Sequence, residues 1–186
     1  MDKHSSWDTI VKLRHELKAV HMDYWLEENL FTLGWWFLII STITLLGIWL
    51  LMLDKKNIME ILTYGLMLAL TTYVLDCIGS SFMLWEYPNK ILPVMPPIIE
   101  IHTVHLPISY MLIYQYFTRW KPFIIALTIV SFVFAFILEP ITEWLNIYEM
   151  YKWKHIYSFP FYIGLGLFFK WLIIKLKQIS IENGHV

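Results

Sequence analysis

Apolar and polar residues along this chain fall into long blocks instead of alternating. An apolar run of about 20 residues, rising 1.5 Å per residue as a helix, spans the hydrocarbon core of a bilayer. Residues 30–53, "LFTLGWWFLIISTITLLGIWLLML", meet that length without a charge, and "DKKN" stops them. Residues 58–85 form a second run that carries Glu60 near its start and Asp76 well inside. Residues 96–117 form a third, closed by "TRWK", and residues 122–144 a fourth, with Pro122 suited to a first helical turn. Residues 157–176 form the fifth, where the Lys170 stem can snorkel towards the interface. The ten-residue alternation of a membrane β-barrel is missing. The pattern predicts an all-α, polytopic transmembrane bundle of five helices.

Residues 1–29 have a different rhythm. Trp7, Ile10, Leu13, Leu17, Val20 and Tyr24 recur at three- and four-residue steps, with Lys12, Arg14, Glu16 and Lys18 on the other faces. This spacing predicts an N-terminal amphipathic helix, either lying in the membrane interface or capping the loops. Ser5 and Asp8 approximate a capping box. The mixed charge of the segment does not read as a secretory signal. The chain thus divides into this helix (1–29), the five-helix domain (30–176) and a short polar tail (177–186).

Composition sharpens the picture. The chain is 58% hydrophobic and 16% charged, below the ~25% charged residues of an ordinary soluble domain. A net charge of -1 gives no electrostatic reason to expect nucleic acid. The single cysteine, Cys77, excludes an internal disulfide and a cysteine-built zinc module.

Basic residues set the orientation. Lys55, Lys56, Arg119, Lys121, Lys170, Lys175 and Lys177 fall on one side; Lys90, Lys152 and Lys154 fall on the other, joined by Lys12, Arg14 and Lys18 if the N-terminal helix counts. The balance predicts a multi-pass protein of the cell membrane with a cytoplasmic C-terminus.

Within residues 97–107, "PIIEIHTVHLP", an otherwise apolar run carries Glu100, His102 and His105. Ionisable groups are costly in lipid and default to a functional reading. The threading gathers Asp76, His102, His105, Glu139, Glu143 and His155 at one end of the bundle, with Asp76 roughly 13 Å below the interface. His102 and His105, three residues apart, share a helical face, and Glu100 points away from them. Pro107 and Pro140 each interrupt a helix beside this cluster.

Several chemistries fit. His102 and His105 could be a structural pair bonded to Asp76 or Glu139. With Glu139 they could hold a divalent metal such as zinc, manganese or iron. They could equally serve acid–base chemistry or a proton relay. Tryptophans 35, 36, 85, 144 and 153 at one end, and 49, 120 and 171 at the other, fit interfacial belts.

"FTLGWWFLII", "LEPITEW" and "WKHIYSFPFY", in this order, resemble a family of small five-helix integral membrane proteins of spore-forming bacteria. The resemblance implies the bundle and a bacterial source, and it brings no catalytic residue with it. Taken together, the residues point to an outward-facing pocket of Asp76, His102, His105, Glu139 and Glu143 that binds a cation, proton or small ligand. The rival readings are a membrane-embedded enzyme acting on lipid and a structural subunit whose polar cluster fixes helix packing. The lipid bilayer is the expected partner, together with a homo-oligomeric copy or another membrane protein.

Overall fold

A computed structural model describes residues 6–93 and 98–182. The fold is all-α, with 80% of the chain helical. Helix α1 spans Trp7–Tyr24, α2 Leu33–Met52, α3 Ile58–Ser81, α4 Leu106–Tyr116, α5 Trp120–Trp144 and α6 His155–Glu182. Strands β1 (Trp85–Glu86) and β2 (Glu149–Met150) pair antiparallel, Trp85 opposite Met150.

Four helices, α2, α3, α5 and α6, are long and apolar enough to cross a membrane. Their outer faces carry exposed apolar side chains such as Ile43, Leu51, Leu66, Leu70 and Ile125. Water would penalise that surface heavily, and lipid does not.

Helix α4 is different. Leu106, Pro107, Ile108, Tyr110, Met111, Ile113 and Tyr114 are all buried, because α2, α3 and α5 pack around it. A helix shielded by protein can carry more polar residues than one facing lipid. The main core joins Tyr64 and Leu68 of α3, Tyr110 and Met111 of α4, Phe123 and Leu127 of α5, and Phe169 and Ile173 of α6.

Small residues let these helices approach. A Cβ at Gly166 would stand 2.7 Å from Leu127 Cδ1 and 3.0 Å from Tyr110 Cε1. Tyr64 donates its hydroxyl to the Gly166 carbonyl at 3.2 Å, and Tyr110 donates to the Tyr162 carbonyl at 3.1 Å.

Two wide π-turns precede prolines. Ile101–His105 leads into α4 just before Pro107, and Phe134–Leu138 interrupts α5 just before Pro140. Proline has no N–H and its ring clashes with the carbonyl four residues back. Widening the turn by one residue relieves both problems without ending the helix. Leu106 N–H therefore donates to the Ile101 carbonyl, and Glu139 N–H to the Phe134 carbonyl.

Several boundaries differ from the sequence pattern. Helix α3 ends at Ser81, four residues before 85, and Met83 adopts a left-handed conformation (φ 53°) that turns the chain into β1. Asp76 is thus five residues from the helix end, about 7.5 Å along the axis and shallower than the unbroken run implied. Helix α6 runs on through Glu182, so residues 177–182 of the polar tail are helical. Lys170 does not snorkel outwards. It is buried, donates to the Phe117 carbonyl at 2.8 Å and lies 3.8 Å from the Phe123 ring centroid.

Helix α1 spans Trp7–Tyr24 and buries no residue. Ser5 lies outside the described residues; the observed cap is Ser6, whose Oγ accepts from Thr9 N–H at 3.3 Å.

The glycine packing carries a clear expectation. Gly166→Leu should destabilise the bundle by about 1–3 kcal/mol, the usual cost of overpacking, read as a lower melting temperature in detergent. Gly164, with nothing within 4 Å of its Cβ position, should accept leucine with no measurable change. Equal losses at both sites would contradict the α5–α6 contact described here.

Candidate functional site

The polar cluster is built where four helix ends meet the β-ribbon. Asp76 on α3 is buried, and its Oδ1 accepts from Trp85 Nε1–H at 2.7 Å and Tyr87 O–H at 2.5 Å. His102 Nε2 lies 3.2 Å from the same oxygen and 3.3 Å from the Tyr87 hydroxyl. An indole N–H only donates, so Asp76 Oδ1 is the acceptor. Burial, then the Asp76 charge, push the Tyr87 phenol well above its ordinary pKa. Tyr87 thus keeps its proton and donates a hydrogen bond to Asp76. Its oxygen is left to accept from His102, which assigns the imidazole proton to Nε2.

That accounting leaves loose ends. Asp76 Oδ2, His102 Nδ1 and Ser80 Oγ are buried without a hydrogen-bond partner. With Nε2 protonated in the neutral ring, Nδ1 is an acceptor, as Oδ2 is. An unmet buried acceptor costs ~1–3 kcal/mol.

A second cluster joins α5 to α6. His155 Nδ1 lies 2.7 Å from Glu139 Oε2, and its Nε2 lies 3.3 Å from Glu143 Oε2. Tyr162 donates to Glu139 Oε1 at 2.8 Å. Carboxylates flank both ring nitrogens, so both contacts are satisfied only when a proton sits between each pair. The chain runs from the partly exposed Glu143 through His155 to the nearly buried Glu139. The π-turn before Pro140 helps aim Glu139 inwards, where it is 9% exposed.

Between the clusters lies a cavity of about 260 Å³. Asp76, His102 and Glu139 line it, together with Trp85, Tyr87, Tyr148, Trp153, Phe161 and Tyr162. The β-ribbon carries Trp85 over α3, where Gly79 leaves room: a Cβ there would collide with the indole. Trp153, after β2, donates Nε1–H to Ser158 Oγ at 2.9 Å and packs against Trp85 with centroids 5.2 Å apart. Trp85 and Trp153, read from the sequence as part of an interfacial belt, line this cavity. Trp36 and Trp144 are exposed as a belt requires.

His105 does not join this site. Its Nε2 bonds Ser41 Oγ of α2 at 2.9 Å and its Nδ1 the Glu100 carbonyl at 3.1 Å. The π-turn changes the angular step between residues 102 and 105, so histidines three apart no longer share a face. Glu143 does not line the cavity; its carboxylate lies beside His155 Nε2 instead. The metal set His102, His105 and Glu139 is not assembled. Among the described residues no group of three His, Cys, Asp or Glu side chains is arranged to hold a metal ion.

The sequence pattern missed Trp85, Tyr87 and Tyr162 as partners of the acids. Tyr87 lies in a loop that gives no periodic signal, and only its place beside Trp85 hints at a role. Comparisons with protein-family models, curated proteins and solved structures find nothing that matches this chain.

The α5–α6 bridge is testable by a double-mutant cycle. His155→Gln should cost about 1.5–3 kcal/mol by removing a charged hydrogen bond from Glu139. Adding Glu139→Gln should restore part of the loss, because the buried carboxylate that had lost its imidazole is then gone. Thermal melts in detergent read both; strictly additive losses would show that the two groups do not interact.

Proposed function

We propose that this is a five-crossing membrane protein whose polar end encloses a binding pocket for a small, mostly apolar ligand. One observation carries the proposal. A cavity of about 260 Å³ walled by aromatic side chains ends on Asp76 and His102, each of which has a buried polar atom without a partner. A purely structural cluster satisfies its own hydrogen bonds; this one leaves acceptors for an occupant. Leu75, Ile78 and Phe161 line the cavity and are exposed on the outside of the bundle. That arrangement favours entry from the lipid.

The fifth crossing is α4 with its preceding π-turn. Its first end meets α3 at Thr72 and Asp76, and its last end meets the α2–α3 turn, where Gln115 bonds the Met52 carbonyl and Asp54 N–H. The segment thus runs the length of the bundle, which supports five crossings. On this reading the N-terminal α1 lies along the outer interface, with Trp7, Leu13, Leu17 and Val20 towards the acyl chains. The balance of basic residues favours a cytoplasmic C-terminus, and the resemblance to the spore-former family belongs to the same proposal.

Two experiments test this. In a chain with Cys77→Ala, cysteines introduced at Lys56 and Arg119 should label from the same side of sealed vesicles. Labelling from opposite sides would remove the fifth crossing. For the pocket, 8-bromooctanol should quench tryptophan emission with a saturable component, lost when Trp85 and Trp153 are both changed to Phe. Quenching that only rises linearly, as simple partitioning gives, would remove the pocket.

A further inference from the structure

We infer that the pocket selects a lipophilic amine: a primary ammonium head at Asp76 with an alkyl tail among the aromatic rings. The inference rests on the pocket reading above and adds the chemistry of its occupant. The unpartnered atoms at the polar end specify the head. Asp76 Oδ2 is a carboxylate oxygen, 2% of that residue is exposed, and Oδ2 has no donor. In the neutral ring with its proton at Nε2, facing Tyr87, His102 Nδ1 is a bare acceptor. Both are acceptors, and an ammonium group carries several N–H donors where a hydroxyl carries one and a carboxylate none.

Charge points the same way. Among the described residues that line the cavity, the acids are Asp76 and Glu139, and no lysine or arginine is present. Glu139 is already engaged on both oxygens by His155 and Tyr162, so Asp76 is the acid with an oxygen to offer. Lys90 lies near Asp76 and Glu86, buried in the loop after β1, yet it does not line the cavity. Trp85, Trp153 and Tyr148 also line the cavity, and aromatic rings attract an ammonium group placed over their faces. An anion would meet the same rings and the same acids as repulsion.

The tail follows from the rest of the wall. Leu75, Ile78, Leu84, Leu106 and Leu165 give an apolar lining, and the exposed Ile78 and Phe161 place its mouth on the lipid side of α3 and α6. A ligand that partitions into the bilayer by its chain and is retained by its head fits both features.

Matched probes separate this inference from the pocket reading beneath it. Octylamine, octanol and octanoate share one tail and differ in the head. Each is competed against the saturable 8-bromooctanol quenching at neutral pH. Octylamine should compete at least about tenfold better than octanol, the value of one charge-assisted hydrogen bond, and octanoate worst. Asp76→Asn should erase the preference for the amine while octanol still competes. Equal competition by all three overturns the amine assignment and leaves the pocket standing. Competition by none overturns the pocket itself. The ranking is read in the unsubstituted chain, so it decides the matter even if Asp76→Asn does not fold.

Discussion

Hydrocarbon offers a carboxylate no donor, so every acid inside this bundle must find one on another segment. That constraint organises the polar end. Asp76 on α3 is met by Trp85 and Tyr87 from the β-ribbon and approached by His102 ahead of α4. Glu139 on α5 is met by His155 and Tyr162 from α6. The opposite end obeys the same rule, where Glu60 accepts from Tyr114 at 2.5 Å and Lys177 at 2.6 Å. Each acid therefore ties together elements far apart in sequence. Polar groups that would be liabilities singly act as the joints of the assembly.

The prolines make those joints geometrically accessible. Pro107 and Pro140 sit two residues beyond the end of a π-turn, and the extra residue in each turn re-aims the side chains that follow. In α5 it helps to bring Glu139 to His155. Ahead of α4 it separates His102, which faces Asp76, from His105, which faces Ser41. Two histidines in one short motif serve different interfaces, one lining a cavity and one joining α4 to α2.

Much of the architecture was legible because apolar length is a strong signal. The runs giving α2, α3, α5 and α6 stand out from composition alone, and the structure finds each long and apolar enough to cross. The pairing of acids with imidazoles at one end could be anticipated from threading, since Asp76, His102, Glu139 and His155 lie near the ends of successive runs. The aim of individual side chains could not. Periodicity assumes 3.6 residues per turn, and a π-turn breaks that assumption where His102 and His105 sit. Trp85 and Tyr87 were equally hidden. Their role depends on the pairing of Trp85–Glu86 with Glu149–Met150, a non-local contact of a kind that a local pattern does not encode.

If α4 is the fifth crossing, as proposed, its burial among its neighbours bears on how the chain enters the bilayer. A segment bearing Glu100, His102 and His105 leaves the insertion machinery for lipid less readily than its apolar neighbours do. Helices α2 and α3 precede it and can wait in the membrane, offering Ser41 and Asp76 as ready-made companions for its imidazoles. The order of synthesis is thus also an order of assembly: a chain shorn of α2 and α3 should strand α4 outside the bilayer, although every residue of α4 is intact.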